Sequence, residues 1–162
     1  MKRRTFLSLF VALPVAPLTG CGFQLRGRDA IPYKSLYIDA PENSQAARQL
    51  ADALRSRGIA VAESAKTAEA TLKLSQERES RTVLALSGGG RVREYRLNYA
   101  LSYNLIGKDG LDIFAPSEIQ QSRDFTYDDN QYLAKTAEES FLYRDLREDA
   151  VQQIVRRLAK TR

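Results

Sequence analysis

The side chains able to do covalent chemistry are few. The 162-residue chain has one cysteine, Cys21, and no histidine, which removes the commonest general base and metal ligand and leaves a single soft nucleophile. Acidic residues lie close together at Asp128 and Asp129, and at Asp145 and Asp149. Their settings suit a turn and a helix surface, and no pair of carboxylates placed to flank a scissile bond is visible. The run Gly88-Gly89-Gly90 joins two strand-like segments. A phosphate loop joins a strand to a helix, so this run is a hairpin turn. These residues predict a protein that is not an enzyme, uses no cofactor and holds no metal.

The thiol has a specific setting. Lys2, Arg3 and Arg4 form a basic head, an apolar run follows from Phe6 to Leu18, and Thr19 and Gly20 place small residues just ahead of Cys21. The apolar run is interrupted by Pro14 and Pro17 and falls short of the ~20 residues needed to cross ~30 Å of hydrocarbon. It has the pattern of a secretory leader. Leu18-Thr19-Gly20-Cys21 resembles a bacterial lipobox, in which the thiol takes a diacylglycerol thioether, residues 1–20 are removed and the new amino group is acylated. The plain alternative is an ordinary cysteine behind a signal anchor. Several acyl chains on one residue form a stable anchor, since each buried methylene contributes ~0.8 kcal/mol. In such lipoproteins an aspartate after the cysteine favours the inner membrane. Gly22 stands here, so the expected destination is the outer membrane, lipid-anchored on its periplasmic side. Arg3-Arg4-Thr5-Phe6-Leu7 also resembles a twin-arginine signal, which leaves two export routes open.

Loss of residues 1–20 removes three basic residues and no acid, taking the net charge from +5 to +2. So mild a charge gives no reason to expect a nucleic acid partner. With Cys21 acylated no disulfide can form. About 140 mature residues suffice for one core. The expected organisation is a leader over 1–20, an acylated tether over 21–32 and a single domain over 33–162.

Within that domain, Tyr33 to Asp39 has strand character. Asn43 or Ser44 can cap a helix on which Ala47, Leu50, Ala51 and Leu54 share a face, with Gly58 ending it. Leu72, Leu74, Leu84 and Leu86 share even parity, so 70–87 reads as one very long strand or as two, with a bulge or break near Glu77–Arg81. After the glycine turn, Tyr95, Leu97, Tyr99, Leu101, Tyr103 and Leu105 occupy odd positions, while Asn98, Ser102 and Asn104 occupy even ones. That period of two puts the large apolar groups on one face and the small polar groups on the other. Gly107-Lys108-Asp109-Gly110 leads into a last strand near Ser117 to Tyr127. Thr136 and Glu139 have capping-box spacing, followed by a stripe of Leu142, Leu146, Ala150, Ile154 and Leu158, with Arg144, Arg147, Arg156 and Arg157 as a solvated flank. The expected fold is α+β: one mixed sheet of about four strands with two helices packed on one face, in the order β-α-β-β-β-α.

Four stretches carry a family resemblance. Cys21-Gly22-Phe23-x-Leu25-Arg26-Gly27, Glu94-Tyr95, Leu133-Ala134-Lys135 and Asp149-Ala150-x-x-Gln153-Ile154-x-x-Arg157-Leu158 resemble, in order and spacing, the LptE family of lipopolysaccharide-assembly lipoproteins. The resemblance implies a plug inside the outer-membrane β-barrel LptD that assists lipopolysaccharide delivery to the outer leaflet. The Asn98, Ser102 and Asn104 face would then meet the polar lumen of the barrel. It also implies lipopolysaccharide binding by basic residues near one end. Lys135 matches directly, while Arg91 and Arg93 are displaced candidates beside a turn in which Gly88 and Gly89 replace bulkier family residues. Protection of strand ends against aggregation is the alternative role for both arginines. Two other classes remain open: a pilotin-type lipoprotein for another outer-membrane assembly, and a carrier of a small apolar ligand.

Overall fold

A computed structural model describes residues 30–161. The expected leader, Cys21 and residues 21–29 of the tether lie outside the described residues. The chain runs β1 (Ser35–Asp39), α1 (Gln45–Arg55), β2 (Ala60–Ala62), β3 (Ala70–Leu86), β4 (Val92–Gly107), β5 (Asp112–Thr126) and, after a short 3-10 turn over Asp129–Gln131, α2 (Tyr132–Leu158). The sheet has five strands in the order β2-β1-β3-β4-β5. It is mixed: β1 is parallel to both β2 and β3, while β3, β4 and β5 pair antiparallel. The α+β class therefore holds with five strands in place of about four. The strand that sequence reading omits is the three-residue β2, too short to show a period.

The core lies between the sheet and both helices. On β4 the odd residues Leu97, Tyr99, Leu101, Tyr103 and Leu105 are buried, as the alternation requires. They form one cluster with Leu36, Leu72 and Leu74 of the sheet, Leu50 and Leu54 of α1, and Leu146, Ala150, Ile154 and Leu158 of α2. Ser44 caps α1, its hydroxyl accepting the Ala47 N–H at 3.0 Å. Gly58, with φ +79°, stands two residues past the Ser56 C-cap. The turns at 87–91 and 107–111 close alike. Ser87 N–H donates to the Arg91 carbonyl and Gly107 N–H to that of Leu111, and each turn ends on a glycine at positive φ, Gly90 at +77° and Gly110 at +79°. A Cβ would be strained at either position, which explains the choice of residue.

Segment 70–86 is a single strand, with a bulge at the near edge of the expected Glu77–Arg81 stretch and further register shifts between Val83 and Leu86. Three expectations need correction. Between the pairs Ser75↔Ser102 and Arg78↔Ala100, β3 advances three residues while β4 advances two, and Gln76 adopts φ +51°. This bulge exchanges the two faces of β3. Even residues Leu72 and Leu74 face the helices before it, whereas odd residues Glu79, Arg81 and Val83 sit opposite Tyr99, Leu97 and Tyr95 after it. The shared parity of Leu72, Leu74, Leu84 and Leu86 is thus not a shared face, and Leu84 and Leu86 are exposed. Strand β5 begins at Asp112, earlier than the alternation indicates, with register shifts against β4 on either side of Phe114 that accommodate Pro116. As the outermost strand, β5 tolerates the lost donor. Finally, α2 starts at Tyr132, so Thr136 is no cap. Its hydroxyl donates back to the Tyr132 carbonyl at 2.9 Å. The 3-10 turn leading into the helix is capped by Asp128, which accepts the Asn130 N–H at 3.0 Å.

Candidate functional site

The sheet has a second face, and among the described residues no element covers it, because both helices pack on the other side. The even positions of β4 bring Asn98, Ser102 and Asn104 onto it together, as expected. They alternate with the fully buried odd residues and are themselves partly exposed. Polar groups of the flanking strands complete this face. Arg96 grips Asp124 with two hydrogen bonds of 2.7 and 3.0 Å, which holds the Asp124 carboxyl below its usual range. Arg78 donates to Glu118 at 3.2 Å, Asn104 to Asp112 at 2.8 Å and Asn98 to Thr82 at 3.3 Å. These cross-strand pairs are satisfied within the sheet yet remain wet, which is how a sheet meets an aqueous or polar surround.

The three basic candidates meet at one end of the molecule. Arg91 and Arg93 stand at the start of β4 beside the 87–91 turn, and both are exposed. Among the described residues neither takes part in an ion pair. The end of β5 reaches them, since Tyr127 N–H donates to the Arg93 carbonyl at 2.9 Å, and Arg93 helps to lower the Asp128 carboxyl after that residue's bonds to Asn130 and Gln131. Lys135, the fourth residue of α2, lies over the Phe125 ring with its ammonium 5.3 Å from the centroid. It is paired with Glu138 at 2.9 Å, and its side chain is only 17 % exposed. The arginines are thus open cations, and the lysine is held and partly compensated.

One charged cluster escaped the sequence reading. Arg147, placed there on a solvated flank, is 5 % exposed. Its guanidinium bonds Glu79, and its Nε lies 3.4 Å from Glu77 Oε1 without forming a hydrogen bond. Glu77 stands on the bulge of β3. It accepts from Ser44 Oγ at 2.6 Å, from the Ala46 N–H at 3.2 Å and from the Tyr99 hydroxyl at 3.1 Å. One carboxylate therefore ties the start of α1, the bulge, β4 and α2 together beside an open depression of about 530 Å³. The available signal was spacing: Tyr143, Arg147, Val151 and Val155 form an i, i+4 stripe adjacent to the leucine stripe.

Comparisons with known proteins agree with this fold. The family model for lipopolysaccharide assembly, LptE, matches residues 33–158. LPS-assembly lipoprotein LptE of Photorhabdus laumondii is 28 % identical over 159 residues, covering 96 % of this chain and 86 % of that protein. Its namesake from Pectobacterium atrosepticum is 28 % identical over 162 residues, covering 98 % and 86 %. Among solved structures, an uncharacterized lipoprotein B from Nitrosomonas europaea superposes with a TM-score of 0.74 at 34 % identity, over 85 % of this chain and 90 % of that one. The rare lipoprotein B from Shewanella oneidensis gives a TM-score of 0.69 at 25 % identity, over 78 % and 95 %.

Proposed function

The chain belongs to the LptE lipopolysaccharide-assembly family, and from that membership we propose that its domain plugs the lumen of the LptD β-barrel while its basic end binds lipopolysaccharide. A role in lipopolysaccharide assembly as an envelope lipoprotein follows from the family. The observation that carries the plug is the uncovered polar face bearing Asn98, Ser102 and Asn104. A face of amides, hydroxyls and cross-strand ion pairs is compatible with the polar, water-filled interior of a large barrel and would be costly against an apolar partner. Cys21, acylated, would hold the assembly to the periplasmic side of the outer membrane. Arg91 and Arg93 can grip phosphate in bidentate fashion, with Lys135 supplying a third positive charge at the same end.

A pull-down of the full-length protein from detergent-solubilised outer membrane tests the plug. A stoichiometric β-barrel partner supports it, whereas recovery of a secretin, or of no partner, overturns it. Changing Arg91, Arg93 and Lys135 together to Glu should lower lipopolysaccharide binding while the melting temperature stays close to wild type. The wild-type interaction should also weaken as salt rises. Undiminished binding by the triple variant at low salt would refute the basic site.

A further inference from the structure

The end where the chain enters β1, opposite the 87–91 turn, gathers open cations around an apolar hairpin tip. Named contacts bring its parts together. Lys34 precedes β1, and its carbonyl accepts the Ala60 N–H at 2.9 Å where β2 starts. The register Leu36↔Ala70 and Ala70↔Gly107 sets the 107–111 turn beside them. Both helices also finish here. Arg57, just past α1, donates to Gln152 of α2 at 3.4 Å. Arg157 donates to the Tyr103 hydroxyl at 2.8 Å and lies 4.7 Å from the centroid of the Phe114 ring on β5. Next to Phe114, Ile113 folds toward the turn, its Cδ1 3.6 Å from where a Cβ on Gly107 would stand. At the tip Leu111 is 69 % exposed, and Ile113 is 41 % exposed.

Six cations lie at this end: Lys34, Arg57, Lys108, Arg156, Arg157 and Lys160. Among the described residues none of them takes part in an ion pair. The neighbouring acids are engaged in hydrogen bonds. Glu69 accepts the Lys34 N–H at 2.7 Å, Asp109 the Leu111 N–H at 3.1 Å and Asp112 the Asn104 amide at 2.8 Å. Glu63 and Lys66, on the loop joining β2 to β3, cancel. Positive charge is therefore in excess around the exposed aliphatics. Single exposed aliphatics are ordinary, but aliphatic side chains, aromatic rings and cations occur together where proteins meet the boundary between lipid headgroups and acyl chains.

We infer that this end rests on a phospholipid leaflet, with Leu111 at the acyl boundary and the cations over anionic headgroups. Two observations favour that occupant. Were Cys21 acylated as proposed, the chain following it would join the domain here and not at the 87–91 end. The excess positive charge also matches a bilayer surface that carries anionic lipid. A lipid chain holds a domain to a membrane without fixing how it stands, and a second contact of cations and aliphatics supplies the pose. The inference rests on the proposed acylation and is independent of the plug.

The chain has no tryptophan, so one introduced indole reports alone. Leu111→Trp marks this end, and Gly89→Trp marks the other, where the backbone leaves room for a side chain. Acylated full-length protein is reconstituted into vesicles of phosphatidylethanolamine and phosphatidylglycerol, with plain or brominated acyl chains. Brominated chains should quench Leu111→Trp and leave Gly89→Trp bright. Adding Lys108→Glu and Lys160→Glu to Leu111→Trp should abolish the quenching, as should raised salt or replacement of phosphatidylglycerol by phosphatidylcholine. Both lysines are exposed, so the melting temperature should hold. Protein that floats with the vesicles while neither indole is quenched overturns the leaflet contact and leaves the anchor standing. Protein that does not float overturns the acylation and the inference with it. Equal quenching of both indoles would lay the domain flat, and quenching indifferent to charge reversal and salt would remove the headgroups from the contact. Either result refutes the inference.

Discussion

Arg147 shows what residue-level reading can and cannot recover. In the sequence it stands among Arg144, Arg156 and Arg157, and charge pattern alone places all four in water. The structure separates it from them because the bulge at Gln76 turns Glu77 and Glu79 toward the helices, and a bulge in β3 leaves no mark in the periodicity of α2. Removing one partner of a buried ion pair leaves the other charged groups uncompensated, so Arg147→Ala should cost about 3 kcal/mol, the low end for a buried pair because Glu79 is partly exposed. Urea unfolding at neutral pH would measure it, and a loss near zero would show that the cluster is replaceable. Tyr99, in the same network, gives a pH signature. Burial first, and then the neighbouring Glu77 carboxylate, push its phenol well above the usual value near 10. Burial likewise pushes Tyr143 up to about 12. A raised pKa means that the folded state keeps its proton where the unfolded state has lost it. The associated stability is therefore complete below about pH 10 and drains away as pH rises beyond that, at up to ~1.4 kcal/mol per pH unit for one fully held phenol. Tyr99→Phe should be less stable than wild type at pH 8, having lost the bond to Glu77, yet should lose stability less steeply above pH 10. An equal loss of stability between pH 8 and pH 11 in wild type and Tyr99→Phe, measured by urea unfolding at each pH, would remove Tyr99 as the cause.

Among the elements, β4 was the most legible, because eleven residues of strict alternation admit one arrangement about a single core. Leu101 is fully buried and Ser102 beside it is not. Leu101→Asp places an unpaired carboxylate in the core and should unfold the domain, while Ser102→Asp should leave its circular dichroism and melting curve near wild type and lower only recovery of the barrel partner. A folded Leu101→Asp beside an unfolded Ser102→Asp would invert the faces. Elements that depart from one period were read less well, each for a local reason. The parity of β3 changes at an inserted residue, β5 carries a proline that an edge strand tolerates, and the capping-box spacing of Thr136 and Glu139 falls inside a helix that Asp128 and the 3-10 turn have already begun. Sequence patterns report side-chain periodicity, and these three features are backbone events that interrupt or pre-empt it. The resemblance put Arg91, Arg93 and Lys135 near one end, but the contacts around them were not legible from charge. The proximity of Arg93 to Asp128, and of Lys135 to Phe125, depends on β5 returning alongside β4.

At the scale of the molecule, the two ends of the sheet differ in kind. The chain enters β1 where Lys34 N–H donates to Glu69 and Glu69 N–H to the Ser35 carbonyl, and the register Leu36↔Ala70 and Ala70↔Gly107 puts the 107–111 turn at that same end. The 87–91 turn, with Arg91, Arg93 and Leu86, is at the other. At ~3.3 Å per residue the 17 residues of β3 span roughly 50 Å, against ~40–45 Å for a bilayer including its headgroups. Were Cys21 acylated as proposed, the chain following it would join the domain at the β1 entry end and not at the 87–91 end. In the proposed plug, the length of β3 would carry the basic end across to the opposite leaflet, where lipopolysaccharide would be delivered. Ser87→Cys and Lys108→Cys mark the two ends, and Cys21, acylated as proposed, would have no free thiol to compete with them. In intact cells a membrane-impermeant maleimide should label Ser87→Cys and spare Lys108→Cys, and opening the outer membrane should expose both. Labelling of Lys108→Cys alone would turn the domain end for end. Labelling of neither until the membrane is opened would place the whole domain on the periplasmic side, and the basic end would then meet its ligand before the ligand crosses.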